Sequence, residues 1–294
     1  MAGLPFLHED ALYNTAAVIQ SGRVLALIPK TVLPNYREFY EKRQFTSGRE
    51  LGTGTKEAKV NGAYIPFGTE IIFHDAASSF SFGVEICEDL WSVIPPSSGL
   101  ALQGARAIFN PSAGTELTGK AAYRRELVKQ QSGRCLCSYV LSSAGVHEST
   151  TDTVFGGHSL IADNGRLAAE GERFGRESSL ILADVDFERL AAARLSESSF
   201  NDSKSLSPAG NALHLRCRRK FPPPPVWNTP LIRRGHFCPP PHTARNGAKK
   251  SSPSRQRDWL KEWSTPMHGG LSSASPAVWT PRWPCLFASA PAGR

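Results

Sequence analysis

The 294-residue chain has a formal net charge of +8, and this charge is unevenly distributed. Residues 201–294 hold 15 of the 34 basic residues but only 3 of the 26 acidic ones, so residues 1–200 are net acidic. No apolar run reaches the roughly 18 residues that a membrane span requires, and no secretion signal is visible. Six cysteines without framework spacing argue against a disulfide scaffold, so we expect a cytoplasmic protein.

Hydrophobic periodicity predicts strands that alternate with helices, followed by a run of strands with no helices between them. The first two strands, 13–20 and 23–28, form a hairpin around Ser21-Gly22. Further strands are predicted at 70–73, 80–86, 107–109, 137–142, 154–161 and 179–185, and helices at 97–105 and 120–132. Asp163-Asn164-Gly165 predicts a turn. This order indicates a layered α/β domain, with Cys135 and Cys137 in its core.

Cys87 stands at the end of the strand that Phe80, Phe82, Val84 and Ile86 define by alternation. A thiolate nucleophile needs a nearby cation or base, and Lys30 closes the second strand of the hairpin. From the residues alone, an inert buried thiol and a surface lysine are the competing interpretations.

The periodicity disappears from about residue 200. Residues 201–294 contain 15 of the 22 prolines and 5 of the 6 tryptophans, with proline runs that build neither strands nor helices. This composition predicts a disordered tail after a domain at 1–200.

Three motifs in the same order carry a resemblance to a known family. Residues 29–43 resemble the lysine segment of nitrilase-superfamily glutaminase domains, and residues 83–91 resemble the nucleophile segment. Residues 148–152 and 155–158 are similar to a stretch of the bacterial glutamine-dependent NAD+ synthetases. The resemblance extends to about residue 200 and implies a nitrilase-like αββα sandwich, incomplete at its N-terminal edge.

The resemblance also implies a reaction. Cys87 would attack the side-chain amide of L-glutamine, giving a thioester and ammonia, while Lys30 stabilises the thiolate and the oxyanion. Glu41 would orient Lys30 and the attacking water. The positions that match substrate contacts are Tyr36, Glu88, Gly114 and Lys120. Glu88 would act through its backbone N–H, and Gly114 stands where relatives usually carry a serine, at a loss of about 1 kcal/mol.

The chain also departs from the family pattern. The superfamily uses a Glu–Lys–Cys triad whose glutamate lies at the end of an early strand, before the lysine segment. Only Glu9 and Asp10 lie upstream of Lys30 here, and we expect both to precede a strand rather than to end one. We therefore expect the general base to be missing and activity to be low or lost. In the family, an ATP- and Mg²⁺-dependent synthetase domain passes the ammonia to deamido-NAD+. Its Ser-Gly-Gly-Leu-Asp-Ser loop does not occur here, so we expect no cofactor and no metal for the glutaminase part.

The tail contains a trace of that loop. Residues 272–285 read as the synthetase loop translated one base out of frame; for example, Leu-Asp yields Trp279 and Asp-Ser yields Thr280. We therefore expect residues 201–294 to be an out-of-frame tail.

Two other functions remain open. The chain could be a stand-alone carbon–nitrogen hydrolase of another amide, with Glu9 as its base after a rearrangement. It could also be a non-catalytic remnant whose basic tail binds nucleic acid, although such charge gives only non-specific, salt-sensitive binding. We favour the glutaminase, as a possible homo-oligomer with no membrane partner.

Overall fold

Twelve strands and four α-helices make up the described part of the computed structural model, which comprises residues 1–52, 54–76, 78–148, 153–206 and 212–217. The strands are β1 (Ala2–His8), β2 (Ala11–Gln20), β3 (Arg23–Pro29), β4 (Lys56–Val60), β5 (Ala63–Phe67), β6 (Ile71–Asp75), β7 (Ser81–Val84), β8 (Ala107–Ser112), β9 (Ser138–Ser143), β10 (Leu160–Asp163), β11 (Arg166–Glu170) and β12 (Leu213–Cys217).

The helices are α1 (Pro96–Leu102), α2 (Lys120–Arg134), α3 (Phe187–Ser196) and α4 (Ser198–Leu206). Three short 3-10 helices also occur, at Glu41–Arg43, Gly48–Leu51 and Cys87–Trp91. No helix in the described residues is long and apolar enough to cross a membrane.

The strands form two sheets. Sheet A has the order β1-β2-β3-β5-β4, and sheet B has the order β11-β10-β9-β8-β7-β6-β12. In sheet B, β7, β8 and β9 run parallel, so their carboxyl ends lie along one edge. Cys87, the predicted nucleophile, follows β7 at this edge.

The two sheets pack face to face. Their shared core joins Ala16, Val18, Ala26 and Ile28 of sheet A to Ile71, Phe73 and Val84 of sheet B. On the other face of sheet B, a second cluster packs α1 and α2 onto β8, β9 and β10. The outer face of sheet A carries a third cluster. The α/β architecture of two packed sheets with a helical layer is therefore as predicted.

Tight turns set the register of the antiparallel pairs. Ser21-Gly22 joins β2 to β3 and Asn164-Gly165 joins β10 to β11, all four residues having positive φ angles. Two consecutive positive φ angles match the twist of a hairpin, and Asn-Gly adopts them readily. Both turns lie where the sequence predicts them.

Three local predictions are wrong. The strand expected at 154–161 begins only at Leu160, and the strand expected at 179–185 is not assigned as a strand. Glu9 and Asp10 follow β1 and form the turn to β2, whereas we expected them only to precede a strand.

Beyond residue 200, the structure describes more order than composition predicts. Helix α4 continues to Leu206, and β12 pairs in parallel with β6. Most of the predicted tail, including the 272–285 segment, lies outside the described residues, as do residues 149–152 of the third motif.

Candidate active site

Cys87 lies just beyond β7, at the first position of the 3-10 helix Cys87–Trp91. Its φ is 47°, a left-handed conformation that costs a residue with a Cβ on the order of 1 kcal/mol. Its backbone N–H donates to the Oδ1 atom of Asn110 on the neighbouring strand β8, at 2.7 Å. The half-buried thiol is thus held on a strained turn at the carboxyl edge of sheet B.

Asp89 joins the Cys87 turn to the segment that follows β3. Its Oδ1 accepts from Thr31 N (3.1 Å), Thr31 Oγ1 (2.6 Å) and Val32 N (2.7 Å), while its Oδ2 accepts from Ile86 N (2.8 Å). Burial raises the pKa of Asp89, although the hydrogen bonds and the nearby Lys30 act in the opposite direction. This single carboxylate therefore fixes the Lys30 segment against the Cys87 turn.

Lys30 and Glu41 form a close ion pair. The Nζ atom of Lys30 lies 2.7 Å from each carboxylate oxygen of Glu41, and the lysine side chain is 1% exposed. A buried ammonium is stable only with such a partner. The structure therefore brings together the two residues that the motif spacing singles out.

Tyr36 and Glu88 meet at the outer side of the same region. The hydroxyl of Tyr36 donates to Glu88 Oε1 at 2.6 Å. Burial, followed by this hydrogen bond, raises the pKa of Tyr36. Cys87 also contributes to the electrostatic environment of the tyrosine.

Lys120, the first residue of α2, faces the same space. Its Nζ donates to Thr115 Oγ1 (3.2 Å), and that hydroxyl donates to Glu38 Oε1 (2.9 Å). The ammonium lies 5.5 Å from the ring centre of Trp91 and 5.8 Å from that of Phe39. Burial lowers the pKa of Lys120, and Cys87 is among the groups that oppose this effect. Lys120 is therefore a partly buried cation whose pKa depends in part on Cys87.

Gly114 lies at the end of the loop that precedes Thr115. A Cβ built on it would approach only Ser112 Oγ, at 3.5 Å, which is an ordinary contact. A serine would therefore fit here without displacing the backbone.

The Phe155–His158 segment supports the loop that carries Thr115. Glu116 accepts from the buried Arg124 at 2.7 Å, and the same Arg124 Nη1 lies 2.9 Å from His158 Nδ1. Because arginine only donates, His158 Nδ1 accepts and its Nε2–H donates to Glu170 at 2.8 Å. Burial lowers the pKa of His158, in keeping with a neutral ring.

Some expected neighbours do not meet. Both described hydrogen bonds of Lys30 Nζ go to Glu41, and none goes to Cys87. Glu9 is 87% exposed and pairs with His8 at 3.9 Å, so this structure does not place it as a base for Cys87. No cluster of three or more metal-ligating side chains occurs among the residues that the structure describes.

Sequence reasoning did not assign roles to several residues of the site: Glu38, Asp89, Asn110, Thr115 and Trp91. Asp89 and Trp91 belong to the nucleophile motif, so their place in that motif could have identified them as site residues. Asn110 ends a predicted strand, but its contact with Cys87 spans 23 residues of sequence and depends on strand register.

Comparisons with known proteins identify the family. The family model described as carbon-nitrogen hydrolase matches residues 1–195. A glutamine-dependent NAD(+) synthetase of Mycobacterium tuberculosis is 44% identical over 208 residues, which is 69% of this chain and 30% of that protein. The enzyme of the same name from Mycobacterium leprae is 39% identical over 236 residues, covering 79% of this chain and 34% of the relative.

Among solved structures, a glutamine-dependent NAD(+) synthetase from Cytophaga hutchinsonii matches with a TM-score of 0.52 and 28% identity. The match covers 60% of this chain and 27% of that one. The chain thus spans about a third or less of the length of these relatives.

Proposed function

Since the chain belongs to the carbon-nitrogen hydrolase family, we propose that its first 200 residues form a glutaminase domain that hydrolyses the side-chain amide of L-glutamine. The identity to glutamine-dependent NAD(+) synthetases supports glutamine as the substrate. The observation that carries the proposal is the buried Lys30–Glu41 pair, which Asp89 holds against the Cys87 turn.

The proposed reaction proceeds in two steps. The Cys87 sulfur attacks the amide carbon, and the tetrahedral intermediate collapses to a thioester as the C–N bond breaks and ammonia leaves. Water then attacks the thioester carbon, which releases glutamate and restores the thiol. Lys30 and the backbone N–H of Glu88 would stabilise the oxyanion in both steps.

The substrate's charged end would bind at the outer side. Tyr36, Glu88 and Lys120 offer a hydroxyl, a carboxylate and an ammonium within one region around Cys87. An α-amino acid carries both an ammonium and a carboxylate, and such paired charges complement this set. We propose that these three side chains select glutamine over uncharged amides.

We further propose that this chain turns glutamine over slowly. A Glu–Lys–Cys triad needs a carboxylate besides Glu41, and within the described ranges no second carboxylate hydrogen-bonds to Lys30. Proton transfer by a positioned base contributes about 10²- to 10⁴-fold, so its loss would leave binding and thiol chemistry with weak turnover.

Ammonia is proposed as the product that a synthetase consumes. The relatives are named for NAD(+) synthesis. In the synthetases that the three motifs resemble, a second domain uses ATP, Mg²⁺ and deamido-NAD+. We propose that the glutaminase part itself needs no cofactor, because amide hydrolysis through a thioester needs only water as co-reactant.

The test is ammonia release from L-glutamine, compared with release from acetamide and propionamide. The proposal predicts slow release from glutamine that Cys87→Ala abolishes, with less release from the simple amides. Faster hydrolysis of the simple amides would instead support a stand-alone amidase. Release that persists in Cys87→Ala would contradict both.

A further inference from the structure

A buried chain of polar side chains ends on the backbone of Cys87. Glu85, Asn110 and Tyr139 are each at most 1% exposed, and they come from the end of β7, from β8 and from β9. The reaction proposed above uses none of them. Buried polar groups are costly unless they are paired, so their arrangement calls for a physical reason.

The side-chain amide of Asn110 contacts both backbone polar groups of Cys87. Its Oδ1 accepts from Cys87 N at 2.7 Å, and its Nδ2 lies 3.4 Å from the carbonyl oxygen of the same residue. Cys87 has the positive φ angle described above. A side-chain amide that contacts both backbone polar groups of one residue favours that residue's conformation over the relaxed one.

The hydroxyl of Tyr139 determines the orientation of the Asn110 side-chain amide, that is, which sides its Oδ1 and its Nδ2 occupy. The other hydrogen of Asn110 Nδ2 is donated to the Tyr139 hydroxyl oxygen at 2.9 Å. The Tyr139 hydroxyl in turn donates its single hydrogen to Glu85 Oε1. If Asn110 were flipped, its NH₂ would face the N–H of Cys87, and two donors would meet.

Glu85 supplies the acceptor that ends the chain. Its Oε2 accepts from the backbone N–H of Ser97 in the first turn of α1, at 2.7 Å. Both carboxylate oxygens therefore face donors, and the two hydrogen bonds that link Asn110 to Tyr139 and Tyr139 to Glu85 are donated in the same direction, toward the carboxylate. Burial raises the pKa of Glu85 to about 7, so the carboxylate form is the main form above that pH.

We propose that Asn110, Tyr139 and Glu85 are positioning residues, a directed hydrogen-bond chain that holds Cys87 in its left-handed conformation and so fixes the position of its sulfur. The inference takes from the proposed function only that Cys87 is the nucleophile. In the relaxed conformation the sulfur would occupy a different position relative to its charged neighbours, and its reactivity would fall.

The test is the rate of alkylation by iodoacetamide at pH 8, followed residue by residue by peptide mass spectrometry. Cys217, half-buried in β12, serves as an internal reference in the same molecule. Tyr139→Phe removes both the acceptor for Asn110 and the donor to Glu85. Asn110→Asp keeps the acceptor for Cys87 N but removes the NH₂ group that contacts both the Tyr139 hydroxyl and the Cys87 carbonyl oxygen.

We expect the ratio of the Cys87 rate to the Cys217 rate to fall about fivefold in each variant, the effect of one hydrogen bond. Because one broken link interrupts the chain, the double variant should not multiply the two losses. Tyr13→Phe is the matched control: Tyr13 is 5% exposed, packs on Phe67 in sheet A and should leave the ratio unchanged.

A purely structural role would give a different result. If Tyr139→Phe only loosened the fold, Cys217 and the buried Cys135 and Cys137 would react faster together, and the inference would be wrong. It would also be wrong if the ratio in Tyr139→Phe equalled that of the wild type.

Glutamine kinetics provide a second readout. A positioning role predicts that Tyr139→Phe lowers kcat and leaves KM unchanged, whereas an equal rise in KM would contradict it. If the wild type hydrolyses no glutamine, the proposed function fails, but the alkylation ratio still decides the role of the chain of hydrogen bonds.

Discussion

Lys30 shows at the scale of one residue how the site and the stability of the fold depend on each other. Its ammonium is 1% exposed, and Glu41, 25% exposed, is the carboxylate that it contacts. A buried charge without its partner destabilises a fold far more than the intact pair stabilises it. The pair is therefore a requirement of the fold as well as of the proposed chemistry.

Glu41→Gln should lower the free energy of unfolding by about 2 kcal/mol, because a neutral amide leaves the buried ammonium uncompensated. Urea unfolding at pH 7.5 measures this loss. The matched control is Glu126→Gln on the surface of α2, whose partner Lys129 is 31% exposed and lies 2.9 Å away. That change should cost about 0.3 kcal/mol, and equal losses in the two variants would contradict the assignment.

Glu85 should make stability depend on pH. Its pKa is raised from 4.5 to about 7 in the folded state, so between these values the folded chain holds a proton that the unfolded chain has lost. Stability contributed by Glu85 is therefore full below about pH 4.5, falls as the pH rises to about 7, and then stays constant, with a total change of about 3 kcal/mol.

Urea unfolding of the wild type and of Glu85→Gln between pH 4.5 and 8 isolates this contribution. The free energy of unfolding of the wild type relative to Glu85→Gln should fall from pH 4.5 to about pH 7 and stay constant from there to pH 8. A difference that does not depend on pH would show that Glu85 is not the titrating group.

At the scale of single residues, the sequence predicts which residues are candidates for the site better than it predicts which of them contact one another. Cys87, Lys30, Glu41, Tyr36 and Lys120 are recognisable from motif spacing because each lies within a short, ordered segment. Their mutual distances depend on how the ends of β3 and β7 approach one another. Asn110 shows the limit, since only the register of β7 on β8 brings it to Cys87.

At the scale of elements, the loop before β10 supports the substrate side of the site. Thr115 forms a bridge to Phe155, and Glu116 N donates to Val154 O at 2.7 Å. A Cβ on Gly156 would lie 2.6 Å from Glu116 Cγ, closer than real contacts allow. Only glycine therefore fits without displacing Glu116.

Gly156→Ala should lower the free energy of unfolding by about 2 kcal/mol and raise KM for glutamine, because displacing Glu116 shifts Thr115 and Lys120. Gly145→Ala is the control, since a Cβ there meets nothing within 4 Å and its φ is not positive. Thermal unfolding and glutamine kinetics measure both effects. An unchanged Tm and KM in Gly156→Ala would contradict the role of this loop in supporting the substrate side of the site.

The elements that the sequence mispredicts have a common reason. Residues 154–161 and 179–185 have strand-like composition, but composition reports suitability for a sheet rather than the presence of a neighbouring strand. Beyond the bridge from Phe155 to Thr115, pairing in the first segment begins only at Leu160, which β9 and β11 flank. The hairpins at Ser21-Gly22 and Asn164-Gly165 succeed because their signal is local.

At the scale of the whole molecule, the described residues form two packed sheets with a helical layer, as the α/β prediction expects, and Cys87 lies at the carboxyl edge of β7–β9. Strand β12 extends sheet B beyond the predicted domain boundary at residue 200. The similarity to the Mycobacterium leprae protein covers 79% of the chain, which is more than 200 residues. We therefore propose that any change of reading frame follows Cys217.

Resequencing the gene across the codons after Cys217 tests this proposal. A single frame that converts residues 272–285 into a Ser-Gly-Gly-Leu-Asp-Ser loop is the expected result. Confirmation of the frame as given would contradict it and leave the tail as a genuine part of the protein.

Covalent labelling decides whether Cys87 is the nucleophile of a glutamine-binding site. The glutamine analogue 6-diazo-5-oxo-L-norleucine alkylates a cysteine thiol in such a site without needing the general base that completes turnover. We expect one adduct per chain, located on Cys87, prevented by excess L-glutamine and absent in Cys87→Ala. Labelling of another residue, or labelling of Cys87 that glutamine does not reduce, would contradict it.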